Sequence, residues 1–373
     1  MTVISPETLM SGWRGRRLLL GLALRSERLL AERAGSEQPL AMAVMSAAYD
    51  LDPGKGRSVA LFRSGTHEER PAADPGTVAS LLDAVQLADV GAGAALRALA
   101  DVVDAARYWQ EPDGEDVLAA TPAVRAALGR IAVHVAGSAT GVGWWTEPVA
   151  RADQHAVTWD AASAPGGDGT GGGATGAAER LALWRADVVD EERHAREHRP
   201  TDPGASWSGG WWSSPPSELT RTARSLGRIG PAGLWLVEDG MGWERAFTHR
   251  VEVPADARVL EIDTADAWAE LCREHPLEVT AQKRHDWYRT TGRAGRWVIP
   301  DWVRLAVAHD AVHLTVAAYV SAAGTAIPVE HDTASVIAGW NPDETFWFTD
   351  AVRPEQDGTA WTLDDDGDWA PTV

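Results

Sequence analysis

Cysteine is almost absent from the sequence, since Cys272 is the single thiol among 373 residues. One cysteine excludes an intrachain disulfide framework and any zinc site that is built from several thiolates. Cys272 follows a mostly apolar segment at positions 267–271, so we expect it to be a buried helix residue rather than a reactive thiol.

Basic residues are also scarce relative to acidic ones. The chain has 34 Lys and Arg against 54 Asp and Glu, which gives a formal net charge of −20. A surface of that sign repels phosphate backbones and anionic lipids, so we expect neither nucleic acid nor a membrane as a partner. The acidic excess is strongest in residues 351–373, where Arg353 is the one basic residue. We predict a solvated, mobile tail there.

Long apolar runs are missing as well. Three arginines within positions 14–17 precede a short apolar run at 18–24, which imitates the start of a signal peptide. Charged residues follow the run at once and no small-residue cleavage site is present, so an amphipathic helix over residues 11–34, ended by Gly35, fits better. No other segment approaches the roughly 18 apolar residues of a membrane span. The predicted location is the cytoplasm.

Hydrophobic periodicity divides the chain into two parts. Residues 1–160 carry helical spacing, and Pro122 after Thr121 is typical of a helix start. Residues 161–176 contain seven glycines and no large apolar side chain, which predicts a flexible linker. Residues 177–350 begin with a helix and continue with short strand-like runs between turn signals. The sequence thus predicts an α+β fold, with a mainly helical N-terminal domain and a C-terminal domain that combines a mostly antiparallel sheet with a few helices.

Strands in the C-terminal domain are expected where short apolar runs stand between turn residues. The candidates are residues 210–214, 233–237, 245–253, 258–262, 311–316, 335–340 and 345–349. Two helices are expected between them. One is capped by Asp263 or Thr264 and ends before Pro276, and the other runs from about Asp301 to His309.

Two histidine pairs stand four residues apart. His194 and His198 fall in H-x-x-E-H, the inverted signature of a zinc protease, and would share one helix face. Charged residues surround that segment, which is typical of a solvated helix, so we predict no metal site, and a zinc hydrolase built on His194 and His198 stays as the weakest alternative function. His309 and His313 straddle the predicted end of a helix. Alternation in the following strand turns His313 away from the aliphatic face, where it lines a cleft or faces solvent.

Tryptophan is the abundant residue. The chain has 19 Trp against four Phe and four Tyr, and 13 of the 19 lie beyond residue 200. Tryptophan suits both cores and walls that stack on flat ligands. Trp211, Trp212, Trp340 and Trp347 stand beside turn residues at predicted strand ends, where binding residues collect. We expect about half of such tryptophans to be structural and the others to bind a ligand.

The C-terminal half contains a series of compact motifs. They are Trp211-Trp212-Ser213-Ser214-Pro215, Gly233-Leu234-Trp235-Leu236-Val237-Glu238-Asp239, Trp287-Tyr288-Arg289-Thr290-Thr291-Gly292, Pro300-Asp301-Trp302, residues 309–315 and Gly339-Trp340-Asn341-Pro342-Asp343-Glu344. In this order they resemble a bacterial protein family typical of high-GC genomes and, in outline, the core of ADP-ribosyltransferase-like toxins. The resemblance matches Trp212-Ser213-Ser214 to the serine element of the toxins and Glu344 to their glutamate.

The resemblance implies an NAD-dependent ADP-ribosyltransferase, with NAD as its substrate. Breaking the nicotinamide–ribose bond builds an oxocarbenium-like centre, which a fixed carboxylate stabilises. An aromatic wall would hold the nicotinamide, and an arginine would hold the pyrophosphate. The catalytic candidates are Glu344 and His313, and the substrate-binding candidates are Trp211, Trp212, Ser213, Ser214, Arg289, Trp340 and Trp347.

Two other interpretations stay open. The serine element lacks its central threonine, and Asn341-Pro342-Asp343 is a strong turn signal, so Glu344 could serve a turn alone. The alternative function is a non-catalytic module that grips a partner protein with exposed tryptophans. An enzyme requires a deep pocket in which Glu344 meets serine and aromatic side chains, whereas an interaction module requires a flat apolar patch.

Overall fold

The computed structural model describes residues 3–55, 74–159, 175–240, 242–365 and 367–372. The predicted linker at 161–176 lies outside these ranges except for its last two residues. The N-terminal region is helical, and its helices are α1 Pro6–Ser11, α2 Trp13–Ala34, α3 Pro39–Leu51, α4 Pro75–Ala84, α5 Ala92–Asp104, α6 Gly114–Ala120, α7 Pro122–Ala136 and α8 Ala139–Val142. No helix in the described ranges is both long and apolar enough to cross a membrane.

The remainder of the chain mixes helices and strands. The helices are α9 Ala177–His198, α10 Ala265–Glu274, α11 Thr280–Thr291, α12 Trp302–Leu305 and α13 Val316–Ala322. The strands are β1 Gln154–Trp159, β2 Thr220–Arg224, β3 Arg245–Val251, β4 Val259–Ile262, β5 Pro276–Glu278, β6 Arg296–Pro300, β7 Ala311–Leu314, β8 Ile327–Glu330, β9 Thr333–Ser335, β10 Thr345–Trp347, β11 Pro354–Leu363 and β12 Trp369–Pro371. The predicted α+β class is confirmed.

Local chemistry sets the ends of these helices. Gly35 ends α2 in the left-handed conformation, at φ 62°, and its N–H reaches the carbonyl of Ala31. A glycine adopts this conformation without the steric cost that a Cβ would add. Thr264 begins α10 by accepting the backbone N–H of Ala267, as the sequence led us to expect.

Two sheets form the α+β part. The larger sheet has the strand order β12-β11-β3-β1-β2-β10-β7-β4, and the smaller has the order β5-β6-β9-β8. Neighbouring strands are antiparallel, except in the parallel pairs β4–β7 and β6–β9. β1 precedes the predicted domain boundary at 160, yet it lies between β2 and β3 in the larger sheet.

The predicted strands at 210–214 and 233–237 are absent, and of the one at 335–340 only Ser335 lies in a strand. Residues 210–214 form no strand, because the carbonyl of Gly210 accepts from Lys283 and that of Trp211 accepts from Trp287. Residues 232–234 form a single 3₁₀ turn. The candidates at 245–253, 258–262, 311–316 and 345–349 correspond to β3, β4, β7 and β10.

The acidic C-terminal residues form strands rather than a mobile tail. β11 pairs with β3 and with β12, so the backbone of residues 354–363 is held in the sheet. Trp361 and Trp369 bury their rings against Leu234 and Ala246, and this apolar contact anchors an otherwise solvated segment. The acidic side chains of β11 remain exposed.

The helical part and the sheets share one hydrophobic core. A continuous cluster of buried side chains runs from Ile4 in the helical part to Phe348 after β10. Gly12 allows α2 to approach α13 closely, since a Cβ there would lie 2.5 Å from the carbonyl oxygen of Val320. The α13 helix packs against α1 and α2 of the helical part and also contacts α10 of the α+β part.

Candidate functional site

A cavity of about 800 Å³ lies beside the larger sheet. Strands β1, β2 and β10 contribute to its lining, together with α9, the start of α11 and residues 210–212 and 214–218. This volume falls within the range of small-molecule pockets, about 300–1,000 Å³. The cavity contains several residues that the sequence singled out, and several that it did not.

One face of the sheet supplies the floor of the cavity. Side chains alternate along a strand, so residues two apart point the same way. The register places His155 opposite Ala223 and Arg221 opposite Phe346. The floor therefore consists of His155, Val157, Trp159, Arg221, Ala223, Glu344 and Phe346, all of which line the cavity.

Tryptophans form much of the remaining wall. The rings of Trp211 and Trp212 stack with their centroids 4.6 Å apart, and those of Trp159 and Trp243 stack at 4.8 Å. Trp212 is 54% exposed although it borders the cavity. Gly339 lies under it at φ 71°, where a Cβ would overlap with Cδ1 of Trp212. The absence of a side chain at Gly339 thus makes room for the tryptophan pair.

Glu344 enters the cavity from the turn before β10. Its Oε1 lies 3.3 Å from the side-chain amide of Asn341, which donates to it, and 3.5 Å from Nη1 of Arg221. The indole N–H of Trp340 donates to the carbonyl of Glu344 at 3.2 Å and fixes its backbone. Burial raises the pKa of Glu344, and the positive charge of Arg221 opposes that rise. The predicted turn is present, and it presents Glu344 to the cavity.

Lys283 is a cavity residue that the sequence analysis missed. Its side chain is almost fully buried, and Nζ donates to the carbonyl of Gly210 at 2.9 Å. Burial lowers the pKa of Lys283 to about 7, while Asp286 and Glu192 act in the opposite direction. The composition could have drawn attention to Lys283, because lysine is rare in this chain: only Lys55 and Lys283 among the 34 basic residues are lysines.

Glu238 is a second missed residue. Its Oε1 accepts the hydroxyl proton of Tyr108 at 2.7 Å, and Tyr108 lies 3.3 Å from the hydroxyl of Tyr319. Burial raises the pKa of Glu238 to about 7, and the hydrogen bond from Tyr108 limits the rise. Glu238 lines the cavity, and its backbone N–H donates to Asn341 beside Glu344.

Four other predicted residues are engaged away from the cavity. Ser213 is buried, and its hydroxyl accepts the N–H of Ala338 at 2.9 Å, whereas Ser214 lines the cavity. Arg289 donates to the carbonyls of Trp109 and Trp207 and pairs with Asp286. Trp340 and Trp347 are fully buried, with the N–H of Trp347 donating to Thr222 at 2.8 Å.

His313 belongs to a buried charge network. It lies between Glu261, at 2.6 Å from Nδ1, and Asp343, at 3.4 Å from Nε2, and is 1% exposed. Burial lowers the pKa of His313, but the hydrogen bonds with Asp343 and Glu261 outweigh it, so the pKa is raised. His313 pairs with Thr345 across the sheet, so it occupies the face opposite Glu344. It neither lines the cavity nor faces solvent.

The zinc-type motif lies on the exposed surface of α9. The rings of His194 and His198 stack with centroids 4.3 Å apart, and both side chains are exposed. Within the residues that the structure describes, no group of three or more His, Cys, Asp or Glu is arranged to hold a metal ion. The buried thiol of Cys272 has its pKa raised to about 12 by burial.

The cavity combines flat aromatic faces, cationic groups and ionisable groups whose pKa values lie near neutrality. Such a set can bind a flat ligand, hold an anionic group and transfer protons. Comparison of the chain with protein-family models, with curated proteins and with solved structures gave no match.

Proposed function

We propose that the cavity is the active site of an NAD-dependent enzyme of the ADP-ribosyltransferase type. The observation that supports this proposal is the presence of Glu344, Ser214 and the stacked Trp211 and Trp212 in one cavity of about 800 Å³. A concave site of this volume favours an enzyme over a module that binds through a flat patch.

Each side chain has a role in this proposal. Glu344 stabilises the positive charge that develops when the ribose–nicotinamide bond breaks and nicotinamide leaves with the bonding electron pair. The exposed face of Trp212 stacks on a flat ring. Arg221, which lines the cavity beside Glu344, takes the role of pyrophosphate ligand that the resemblance implies for an arginine, because Arg289 is engaged elsewhere.

The test is NAD cleavage by the full-length protein and by Glu344→Gln. We expect the substitution to lower kcat by about 100-fold or more, because it removes a charge that acts mainly in the transition state. NAD-induced quenching of tryptophan fluorescence should persist, since the amide preserves the shape of the wall. Glu197→Gln, on the exposed side of α9, is the matched control and should leave both readouts unchanged.

Wild-type protein that neither cleaves NAD nor changes its fluorescence on adding NAD would remove this proposal. An equal kcat for Glu344→Gln and wild type would remove Glu344 from the catalytic role while leaving NAD as the ligand.

A second proposal is a non-catalytic protein-interaction module, and the exposure of Trp212 favours it. Trp340 is buried and cannot contact a partner protein, so in this proposal Trp212 is the tryptophan that binds the partner. In that case Trp212→Ala abolishes capture of the partner protein and Glu344→Gln leaves it intact. Loss of NAD cleavage in Glu344→Gln would favour the enzyme over the interaction module.

A further inference from the structure

We propose that Lys283 is a covalent site, whose amine forms an imine with a flat, conjugated carbonyl compound that carries an anionic group. This inference goes beyond the NAD proposal and does not depend on it. It rests on the placement of a single buried amine in the wall of a large aromatic cavity.

The position of Lys283 suits a nucleophile. Lys283 borders the cavity and is 4% exposed, so a ligand bound in the cavity lies against this side chain while the amine itself has little contact with water. Its Nζ donates one hydrogen to the carbonyl of Gly210 at 2.9 Å. That bond orients the nitrogen, and a neutral amine held in this way keeps its lone pair for a carbonyl carbon.

The two carboxylates near Lys283 accept hydrogen bonds from other residues. Glu192 accepts the backbone N–H groups of Ala281 and Gln282 at the start of α11. Asp286 accepts from the hydroxyl of Ser208 and the N–H of Gly209. These carboxylates therefore raise the pKa of the amine less than burial lowers it, and the resulting pKa of about 7 leaves a large neutral fraction at neutral pH.

The lining of the cavity defines the class of ligand. Trp184, Trp211 and Trp212 offer aromatic faces, which favour a flat conjugated ring. Arg180 and Arg221 also line the cavity, and an anionic substituent would lie beside them rather than beside the acidic lining residues Asp187, Glu191 and Glu218. An aromatic aldehyde with a phosphate or carboxylate group satisfies both requirements.

The reaction balances without a further reagent. The lone pair of Nζ attacks the carbonyl carbon, and the π pair moves to oxygen to give a carbinolamine after proton transfer from nitrogen. A second proton transfer expels that oxygen as water while the nitrogen lone pair forms the C=N bond. Amine and carbonyl compound thus give imine and water, and borohydride reduces the imine to a stable secondary amine.

Arginine cannot replace lysine in this chemistry, because the guanidinium stays protonated at all accessible pH values. Lys55, the other lysine, is 44% exposed and pairs with Asp50 on the surface. The chain therefore contains its own reference amine, and the two lysines can be compared within one protein.

The experiment uses full-length protein and pyridoxal 5′-phosphate as the probe at pH 7. After borohydride reduction, peptide mass mapping gives the fraction of each lysine that carries the adduct. We expect Lys283 to be labelled at least tenfold more than Lys55, because burial lowers the pKa of Lys283 to about 7 and leaves a large neutral fraction at this pH, whereas Lys55 is exposed and paired with Asp50. Labelling of Lys283 should saturate with probe concentration, and benzaldehyde, which lacks an anionic group, should label it less.

Two variants complete the experiment. Lys283→Arg should lose the saturable adduct, and Lys55→Arg should retain it. Labelling of Lys283 in wild-type protein that equals that of Lys55, or that fails to saturate, overturns the proposal whether or not the variants fold. NAD cleavage is measured separately, so selective labelling without NAD cleavage removes the NAD proposal and supports the imine.

Discussion

Glu238 and Lys283 are ionisable groups whose pKa values burial moves in opposite directions to about the same value. The carboxyl of Glu238 rises to about 7 and the amine of Lys283 falls to about 7. Both shifts have one cause, since burial disfavours the charged form of either group. The charge of the cavity therefore changes steeply around neutral pH.

Glu238→Gln should alter how stability depends on pH. The folded state holds the Glu238 proton between pH 4.5 and about 7, where the unfolded state has released it. The free energy of unfolding therefore falls as pH rises through this window, by an amount on the order of 3 kcal/mol. We expect Glu238→Gln to remove that fall, and thermal unfolding at pH 5 and pH 8 measures it. Glu179→Gln, on the exposed side of α9, should retain the wild-type slope, and equal slopes in all three proteins would contradict the assignment.

Sequence order was informative about residues that stand close together in the chain. Trp211, Trp212 and Ser214 share a segment, and the turn before β10 brings Glu344 to the same cavity. The sequence did not reveal which distant residues surround each side chain. His313 forms a hydrogen bond with Glu261 of a neighbouring strand, and Arg289 donates to the carbonyl of Trp109 in the helical part. Such partners depend on tertiary packing, which local patterns do not contain.

At the scale of elements, the turn around Gly339 positions the tryptophan pair. Gly339→Ala places a Cβ against Trp212 and also forces a left-handed residue to carry a side chain. We expect a loss of about 1–3 kcal/mol in the free energy of unfolding and a displaced Trp212. Gly35→Ala is the matched control, because Gly35 has φ 62° with open space around it. Denaturant unfolding should show a smaller loss for Gly35→Ala, and unchanged Trp212 fluorescence in Gly339→Ala would contradict this role.

Strand prediction succeeded where the strand is central and apolar, as in β7, whose residues are all buried. It failed for β11, where most side chains are exposed and acidic. The N–H of Trp361 donates to Thr248 of β3 at 2.9 Å, and this contact with a distant strand stabilises the pairing. A strand whose side chains are mostly exposed and polar carries little periodic signal of its own, so composition alone suggested a mobile tail.

For the whole molecule, the shared core predicts a single unfolding transition. Far-UV circular dichroism reports mainly on the helices, and tryptophan fluorescence reports mainly on the part beyond residue 200, where 13 of the 19 tryptophans lie. We expect the two signals to coincide on heating, and Gly12→Ala to lower both midpoints together, because its Cβ meets Val320 of α13. Gly21→Ala is the control, because Gly21 lies within α2 and has open space around it. Two separate transitions would contradict a common core.

The order of the strands in the larger sheet also determines when a newly made chain can fold. The indole of Trp347 bonds to Thr222, 125 residues earlier, and Asp368 bonds to Arg97, 271 residues earlier. Contacts between residues this far apart in the chain form slowly, because the entropy lost in ordering a large loop is not offset until the contact has formed. During synthesis one edge of β3 stays unpaired until β11 has been made. The free N–H and C=O groups of such an edge can pair with strands of other chains. A chain that ends before β11 therefore leaves one edge of β3 without its partner strand.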